Sequence, residues 1–456
     1  MTDFVFRGQV KEVLAKATVS RAAFSAVTVF FPWFLYVIVL GLFAFFPKNT
    51  GTGPVNSGVV VFEYNTLFSL LFSAPFCIAA GRSLIRMKEE HMSGRENAML
   101  MLMFLLCAVT GIVFGGVFYY FYKDMSETET VMGYVNYVLL GMLWGVLSFL
   151  PAVKRGRRIL FAIVAGICVL LFILGRIYPV IKSVGFLLGM NVGLAFFVFA
   201  FAGLALRNNL FVWRDFADCL RYTAADLKTA GISFLLSCGL FADKITARLL
   251  AVHDGGKSAA ERLFVCENAA FSSLATAVPV IVCELCFFLF LFPGRYRKFL
   301  MIIKEYGLLV HIKKAEKKLL RLLVDFFGSL LIFQGAVAVI GILGVSWIMA
   351  FTENDVMADA EIFQYGVLTV YLQAMTFFLF VVFAFFGLIK PLAVISLVYA
   401  VISAAANVYC VSALGMHNGA GSLIAAAAAF IMAFIWTAAY SGKIAYLTFR
   451  NYSERL

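Results

Sequence analysis

Apolar residues run along this chain in stretches of about 20, each bounded by charged or turn residues. A run of that length crosses a bilayer as a helix, whereas the strands of a membrane barrel show ~10-residue alternation. The runs predict about twelve spans, near 23–46, 58–81, 97–121, 131–153, 159–175 and 184–206, then 229–250, 263–292, 323–351, 362–387, 391–412 and 419–442. The fifth is the shortest. The first is long enough to span and lacks a small-residue cleavage site, so it reads as a span rather than a signal peptide.

Composition narrows the class. The chain has 456 residues, of which 63% are hydrophobic and 14% charged. A soluble domain is about half apolar and about a quarter charged, and single cores stop growing near ~250–300 residues. A soluble enzyme, a disordered scaffold and a nucleic-acid binder are therefore excluded as leading classes. The net charge of +12 finds its explanation in topology. With a cytoplasmic N-terminus, twenty-nine of the 37 Lys and Arg fall on the cytoplasmic side, six outside, and two, Lys244 and Arg248, within a span. Such a split over alternating short loops is the positive-inside pattern, and it predicts both termini in the cytoplasm.

The polar segment 207–228 carries both signs of charge and divides the chain into an N-lobe, 1–206, and a C-lobe, 229–456, of six spans each. An even number per half gives both halves the same orientation, which suits a two-lobed transporter with a cavity between lobes. Within the C-lobe, segment 293–322 is the most basic. Pro293-Gly294 is expected to stop the eighth span. Apolar residues then interleave with Arg295, Arg297, Lys298, Lys313, Lys314, Lys317 and Lys318 at roughly helical spacing. This predicts an amphipathic helix on the headgroups of membrane lipid, or a docking surface for a cytoplasmic partner.

Charges inside hydrocarbon cost ~2.5–3.5 kcal/mol at mid-span and are functional candidates by default. Asp243 and Lys244 lie ~14 residues into the seventh span, ~21 Å along it by helix rise. Glu267 begins the eighth span and Glu284 lies deeper in it, with no adjacent cation in sequence. Glu63 sits near the outer end of the second. Asp243, Lys244 and Glu267 form either a neutralised packing cluster or a polar wall or gate of a cavity. Gln334, Gln373, Asn136, Asn191 and Asn407 read as interhelical hydrogen-bond partners, with Gln334 also a candidate on the substrate path. His253 to Ser258 resembles the end of a phosphate-binding loop but has Ala251 where that pattern needs Gly. Cys283 and Cys286 have redox spacing but lie in an apolar span. No catalytic residue, metal or cofactor is expected.

Several local patterns resemble the PelG-like family, the integral membrane component of Pel exopolysaccharide export, within the multidrug/oligosaccharidyl-lipid/polysaccharide flippase superfamily. They are Pro32-Trp33, Ser73-Ala74-Pro75 followed by Arg82 to Arg86, Asp243-Lys244, Ala277-Val278-Pro279 before Cys283-Glu284 and Phe287, Tyr296-Arg297-Lys298-Phe299, Gln334-Gly335 and Tyr446 to Phe449. The family's glycine-rich start is missing before Arg7, and Gly387 to Lys390 replaces its Asp-Arg-Arg type stretch.

The resemblance implies an all-α integral membrane protein of about 12 transmembrane helices in two six-helix lobes, MATE/flippase-like. It implies export of an amino-sugar polysaccharide or lipid-linked glycan across the bacterial inner membrane. Its partners would be a cytoplasmic glycosyltransferase and accessory membrane subunits including a cyclic-di-GMP receptor. Two alternatives stay open: a small-molecule or drug cation antiporter, and a membrane scaffold that anchors a glycosyltransferase.

Overall fold

In the computed structural model the apolar runs form long helices, as a backbone in hydrocarbon must satisfy its own N–H and C=O groups within the segment. The structure describes residues 57–89, 95–121, 126–149, 156–206, 213–253, 273–304, 308–350, 356–414 and 419–446. The helices are α1 (Ser57–Glu89), α2 (Glu96–Phe121), α3 (Glu127–Phe149), α4 (Gly156–Ala205), α5 (Trp213–Ala225) and α6 (Leu227–His253). A 3-10 turn, Ala275–Ala277, leads into α7 (Val278–Cys286), which passes through a π-helical segment, Phe287–Leu291, into α8 (Phe292–Lys304). There follow α9 (Leu309–Ala350), α10 (Val356–Phe385), α11 (Ile389–Leu414) and α12 (Ala420–Ser441). The described residues fall into two compact units, 57–238 and 239–446, parted between Cys238 and Gly239 inside α6.

In the first unit α3 packs against α1, α2 and α4. Its buried positions include Gly133, Gly141 and Gly145, small residues that let the neighbouring backbones approach. α4 is a helical hairpin. A Cβ on Gly193 would stand 2.7 Å from Leu170 Cδ1, one on Gly189 2.8 Å from Leu174 Cδ2, and one on Gly185 2.8 Å from the Ile177 carbonyl. Each step down one arm is matched by a step up the other, as antiparallel arms require. α5 is pinned to this unit by Arg95, which reaches Asp215 at 3.1 Å and Asp218 at 2.8 Å. At the α5–α6 turn the buried Asp226 faces Arg82 at 3.8 Å and accepts from Ser83 Oγ at 3.3 Å.

In the second unit α10 lies between α9 and α12, and α12 packs in turn on α11. Gly421, Ala425 and Ala429, all buried and four apart, share one face of α12, and Gly421 lies against Ala406 and Asn407 of α11. A phenylalanine cluster joins the irregular α7–α8 region to the rest. Phe287 stacks on Phe326 of α9 with centroids 3.9 Å apart, and Phe288 stacks on Phe385 of α10 at 5.5 Å.

Large apolar side chains stand exposed along these helices, among them Ile112 and Val117 on α2 and Ile332, Ile340 and Leu343 on α9. Ile332 is 77% exposed, which is unremarkable only where lipid is the solvent. Among the described residues nine helices are long and apolar enough to cross a membrane, and ten if α5 and α6 form one span bent by 59°. They fall on the expected runs from 58–81 onward, including both arms of the α4 hairpin, except that 229–250 enters only with the bent pair and 263–292 is not among them. The expected span 23–46 lies outside the described residues, and the run 263–292 is described from Ser273.

Two expectations for 293–322 are corrected. Pro293-Gly294 does not stop the helix. The π segment meets the proline: the Phe292 N–H bonds to the Phe287 carbonyl five residues back, and helix continues to Lys304. Nor is 293–322 one amphipathic helix. It is α8, a break, and the first turns of α9, which runs unbroken from Leu309 to Ala350.

Candidate functional site

Asp243 and Lys244 are successive residues near the end of α6, where α6 packs with α11. Lys244 Nζ lies 3.0 Å from Asp243 Oδ2, with side-chain exposures of 8% and 21%. The neighbouring positions splay by about 100° on a helix, and long Lys244 bends back to close the pair. Asp243 Oδ1 has no hydrogen-bond partner among the described residues. The pair sits beside a polar seam. Ser403 Oγ donates to the Gly239 carbonyl at 2.9 Å, and Asn407 Nδ2 donates to the Ser403 carbonyl at 2.8 Å and to Ser422 Oγ at 3.1 Å. Gln373 Nε2 donates to the hydroxyl of the buried Tyr399 at 2.8 Å.

Glu284 lies on α7, the nine-residue helix held between the 3-10 turn and the π segment. Its side chain is buried, 2% exposed, and neither carboxyl oxygen has a hydrogen-bond partner among the described residues. A buried carboxyl group with no partner is costly to hold, by several kcal/mol if ionised, and such groups in native proteins call for a functional or chemical reason. Gln334 of α9 is fully buried. Its Nε2 donates to the Thr276 carbonyl at 3.0 Å, tying α9 to the turn just ahead of α7, while its Oε1 is left without a partner. The second unit therefore presents unmet acceptor atoms on Glu284, Gln334 and Asp243. What such atoms bind are N–H and O–H donors or a cation. Among the described residues no group of three His, Cys, Asp or Glu could hold a metal ion.

The other candidates do not join this set. Glu63 is on α1, in the first unit, and its side chain is outside the described residues, as is that of Arg248. Glu267 also lies outside the described residues. Of the amides expected to bond between helices, Asn136 and Asn191 do so in the first unit. Asn191 Nδ2 donates to the Met132 carbonyl at 2.9 Å. Asn136 accepts from Asn65 Nδ2 at 3.1 Å. That amide also donates to the Gly133 carbonyl at 2.8 Å, while Tyr119 Oη donates to Asn65 Oδ1 at 2.7 Å. Trp144 Nε1 donates to Ser69 Oγ at 2.9 Å. Asn65, Ser69 and Trp144 were not singled out from sequence. The signal was present in Asn65, Ser69 and Ser73, four apart and so on one face of α1.

The basic residues of 293–322 separate into two sets. Arg295 and Lys298 of α8 and Lys314 and Lys318 of α9 line a cleft of about 470 Å³ whose apolar wall includes Phe299, Ile302 and Leu319. Arg297, Lys313 and Lys317 are exposed and stand outside its lining.

Comparison with known proteins agrees with this architecture. The family model PelG, described as "Putative exopolysaccharide Exporter (EPS-E)", matches residues 11–449. No curated protein matches the chain. Among solved structures, an outward-facing multidrug resistance MATE family transporter of the MOP superfamily aligns with a TM-score of 0.61 at 13% identity, covering 95% of this chain and 96% of that one. A MOP superfamily transporter from Pyrococcus furiosus aligns with a TM-score of 0.61 at 14% identity, covering 94% and 96%. An inward-facing MATE family transporter aligns at 0.59 and 14% identity, covering 86% and 92%. At these identities the likeness is one of fold, and the fold is MATE-like.

Proposed function

This chain belongs to the PelG family, and from that membership we propose that it exports an exopolysaccharide, a Pel-like amino-sugar polymer, across the bacterial inner membrane as one subunit of a synthase-export complex. That it is a multi-pass membrane transporter, and not an enzyme, is given by family and fold together. The observation that carries the finer reading is Glu284, a buried carboxyl group without a partner among the described residues, on a short helix bounded by irregular turns. A carboxylate there attracts a partly cationic sugar chain or couples export to an ion, and Asp243 and Gln334 extend the acceptor set within the second unit. Lys244 pairs with Asp243 at 3.0 Å.

Both termini lie in the cytoplasm in this reading, on the side that carries most of the Lys and Arg. The exposed Arg297, Lys313 and Lys317 then face the cytoplasmic glycosyltransferase, with accessory membrane subunits, including a cyclic-di-GMP receptor, completing the assembly.

The test is polymer export by Glu284→Gln and Asp243→Asn at matched protein levels, with synthase activity measured separately. A hydrogen bond to a charged group is worth ~1.5–3 kcal/mol, so export in Glu284→Gln is expected to fall about tenfold or more while polymer synthesis continues. Undiminished export in both variants would remove these residues from the path.

The solved structures of like fold favour a second reading, a small-molecule cation antiporter, since several are described as multidrug transporters. Cation-driven drug uptake into liposomes by the purified chain alone would establish it. Normal export after bulky substitutions along the path would instead mark the chain as a scaffold that anchors a glycosyltransferase.

A further inference from the structure

We propose that the cleft between α8 and α9 is a binding site for the phosphate headgroup of an anionic membrane lipid. Four side chains of the lining, Arg295, Lys298, Lys314 and Lys318, carry fixed positive charge, and none of them has an ion-pair partner among the described residues. Among the described residues the lining holds no carboxylate. Glu316 of α9 is committed elsewhere, accepting from the Ala445 N–H at 2.9 Å. His311, in the first turn of α9, also lines the cleft, and a helix N-terminus adds positive potential there. Four cations held together without counter-charge repel one another, and the arrangement is complementary to a phosphate.

The apolar surroundings select a lipid over a soluble anion. Phe299, Ile302 and Leu319 line the same cleft. Around it Leu308, Leu309 and Val310 are exposed by 72%, 65% and 73%, and Met301 by 51%. Bare leucines beside bare cations suit the boundary where headgroups meet acyl chains. α9 then runs on from this boundary into its membrane-spanning length, with Val324 and Ile332 exposed. Helical spacing completes the sorting: Lys314 and Lys318, four apart, face the cleft, while Lys313 and Lys317 form the adjacent row.

This site is independent of the exported substrate. The full-length chain, purified in detergent and stripped of lipid, is offered phosphatidylglycerol or phosphatidylcholine, and retained lipid is counted by native mass spectrometry. One phosphatidylglycerol per chain is expected to be held in preference to phosphatidylcholine. Each basic residue near a membrane surface contributes ~1 kcal/mol, about fivefold. Lys314→Gln with Lys318→Gln is therefore expected to weaken retention about 25-fold, and the control Lys313→Gln with Lys317→Gln by twofold at most. Circular dichroism shows that each variant is folded. Equal loss in the control pair would reduce the effect to net charge and overturn the site. Equal retention of phosphatidylcholine would overturn it as well. Displacement of the lipid by millimolar inorganic phosphate would assign the cleft to a free anion. Displacement by an oligoglutamate peptide would assign it to an acidic protein partner. Either displacement overturns the lipid assignment.

Discussion

Glu284 and Asp243 are both acids of the second unit, yet they answer to different forces. Asp243 has Lys244 at 3.0 Å, whereas Glu284 has no partner among the described residues. Removing one member of a buried pair costs ~3–5 kcal/mol, with the lower end appropriate here because Asp243 is 21% exposed. Asp243→Asn is therefore expected to lower the thermal unfolding temperature in detergent, and the double variant with Lys244→Met to recover it. Glu284→Gln should leave stability level while export falls, so the two residues separate a packing role from a transport role. A third case is Asn65, whose amide makes three bonds across α1, α2 and α3. Interhelical hydrogen bonds in membranes average ~0.6 kcal/mol and reach ~1.7. Asn65→Leu is expected to cost roughly 1–3 kcal/mol of unfolding free energy without a selective loss of export. The adjacent charges of Asp243 and Lys244, and the isolation of Glu284, were legible in sequence because each concerns immediate neighbours. Asn65 was not, because its partners lie 54 to 71 residues away.

At the scale of the element, local rules read the helices well and their irregularities poorly. Pro293-Gly294 reads as a stop because proline lacks the N–H that an α-helix needs. The rule misses that a wider turn just ahead, clamped by Phe287 on Phe326 and Phe288 on Phe385, carries the chain past it. That clamp is tertiary, so no window of sequence contains it. Phe287→Ala is expected to destabilise the second unit by roughly 3–5 kcal/mol, as a lost buried aromatic does. A different device holds α5. Arg95 bridges Asp215 and Asp218, and Cys219, next to Asp218, is buried. Arg95→Gln is expected to loosen α5 and to speed maleimide labelling of Cys219 severalfold, a change that raised salt should partly reproduce in the parent chain. At the α11–α12 contact, a Cβ on Gly421 would lie 2.7 Å from the backbone of Ala406 and Asn407. Gly421→Val must push those helices apart.

For the whole molecule, hydropathy and charge counting were sufficient for the class and nearly so for the span map. Span length is set by bilayer thickness and orientation by cation placement, both one-dimensional properties. Sequence places a division at the polar segment 207–228, and the described residues fall into compact units 57–238 and 239–446. Polarity marks where a chain leaves the membrane, and it does not mark which neighbours a helix packs against. The α8–α9 cleft was legible only as an excess of cations. Which of them converge and which point away follows from how α8 packs on α9, which no local window contains.

The π segment also sets an angular phase. A residue more per turn, at about 100° per residue, rotates everything that follows relative to everything before. Glu284 lies ahead of the wide turn and Arg295 and Lys298 behind it, so the direction in which the acid points and the direction in which the cations point are geared together through five residues. Deleting one residue from Phe287–Leu291 would leave composition, hydropathy and charge unchanged in kind. It would swing Arg295 and Lys298 by roughly a quarter turn away from Lys314 and Lys318. The cleft would be dismantled with every one of its cations still present.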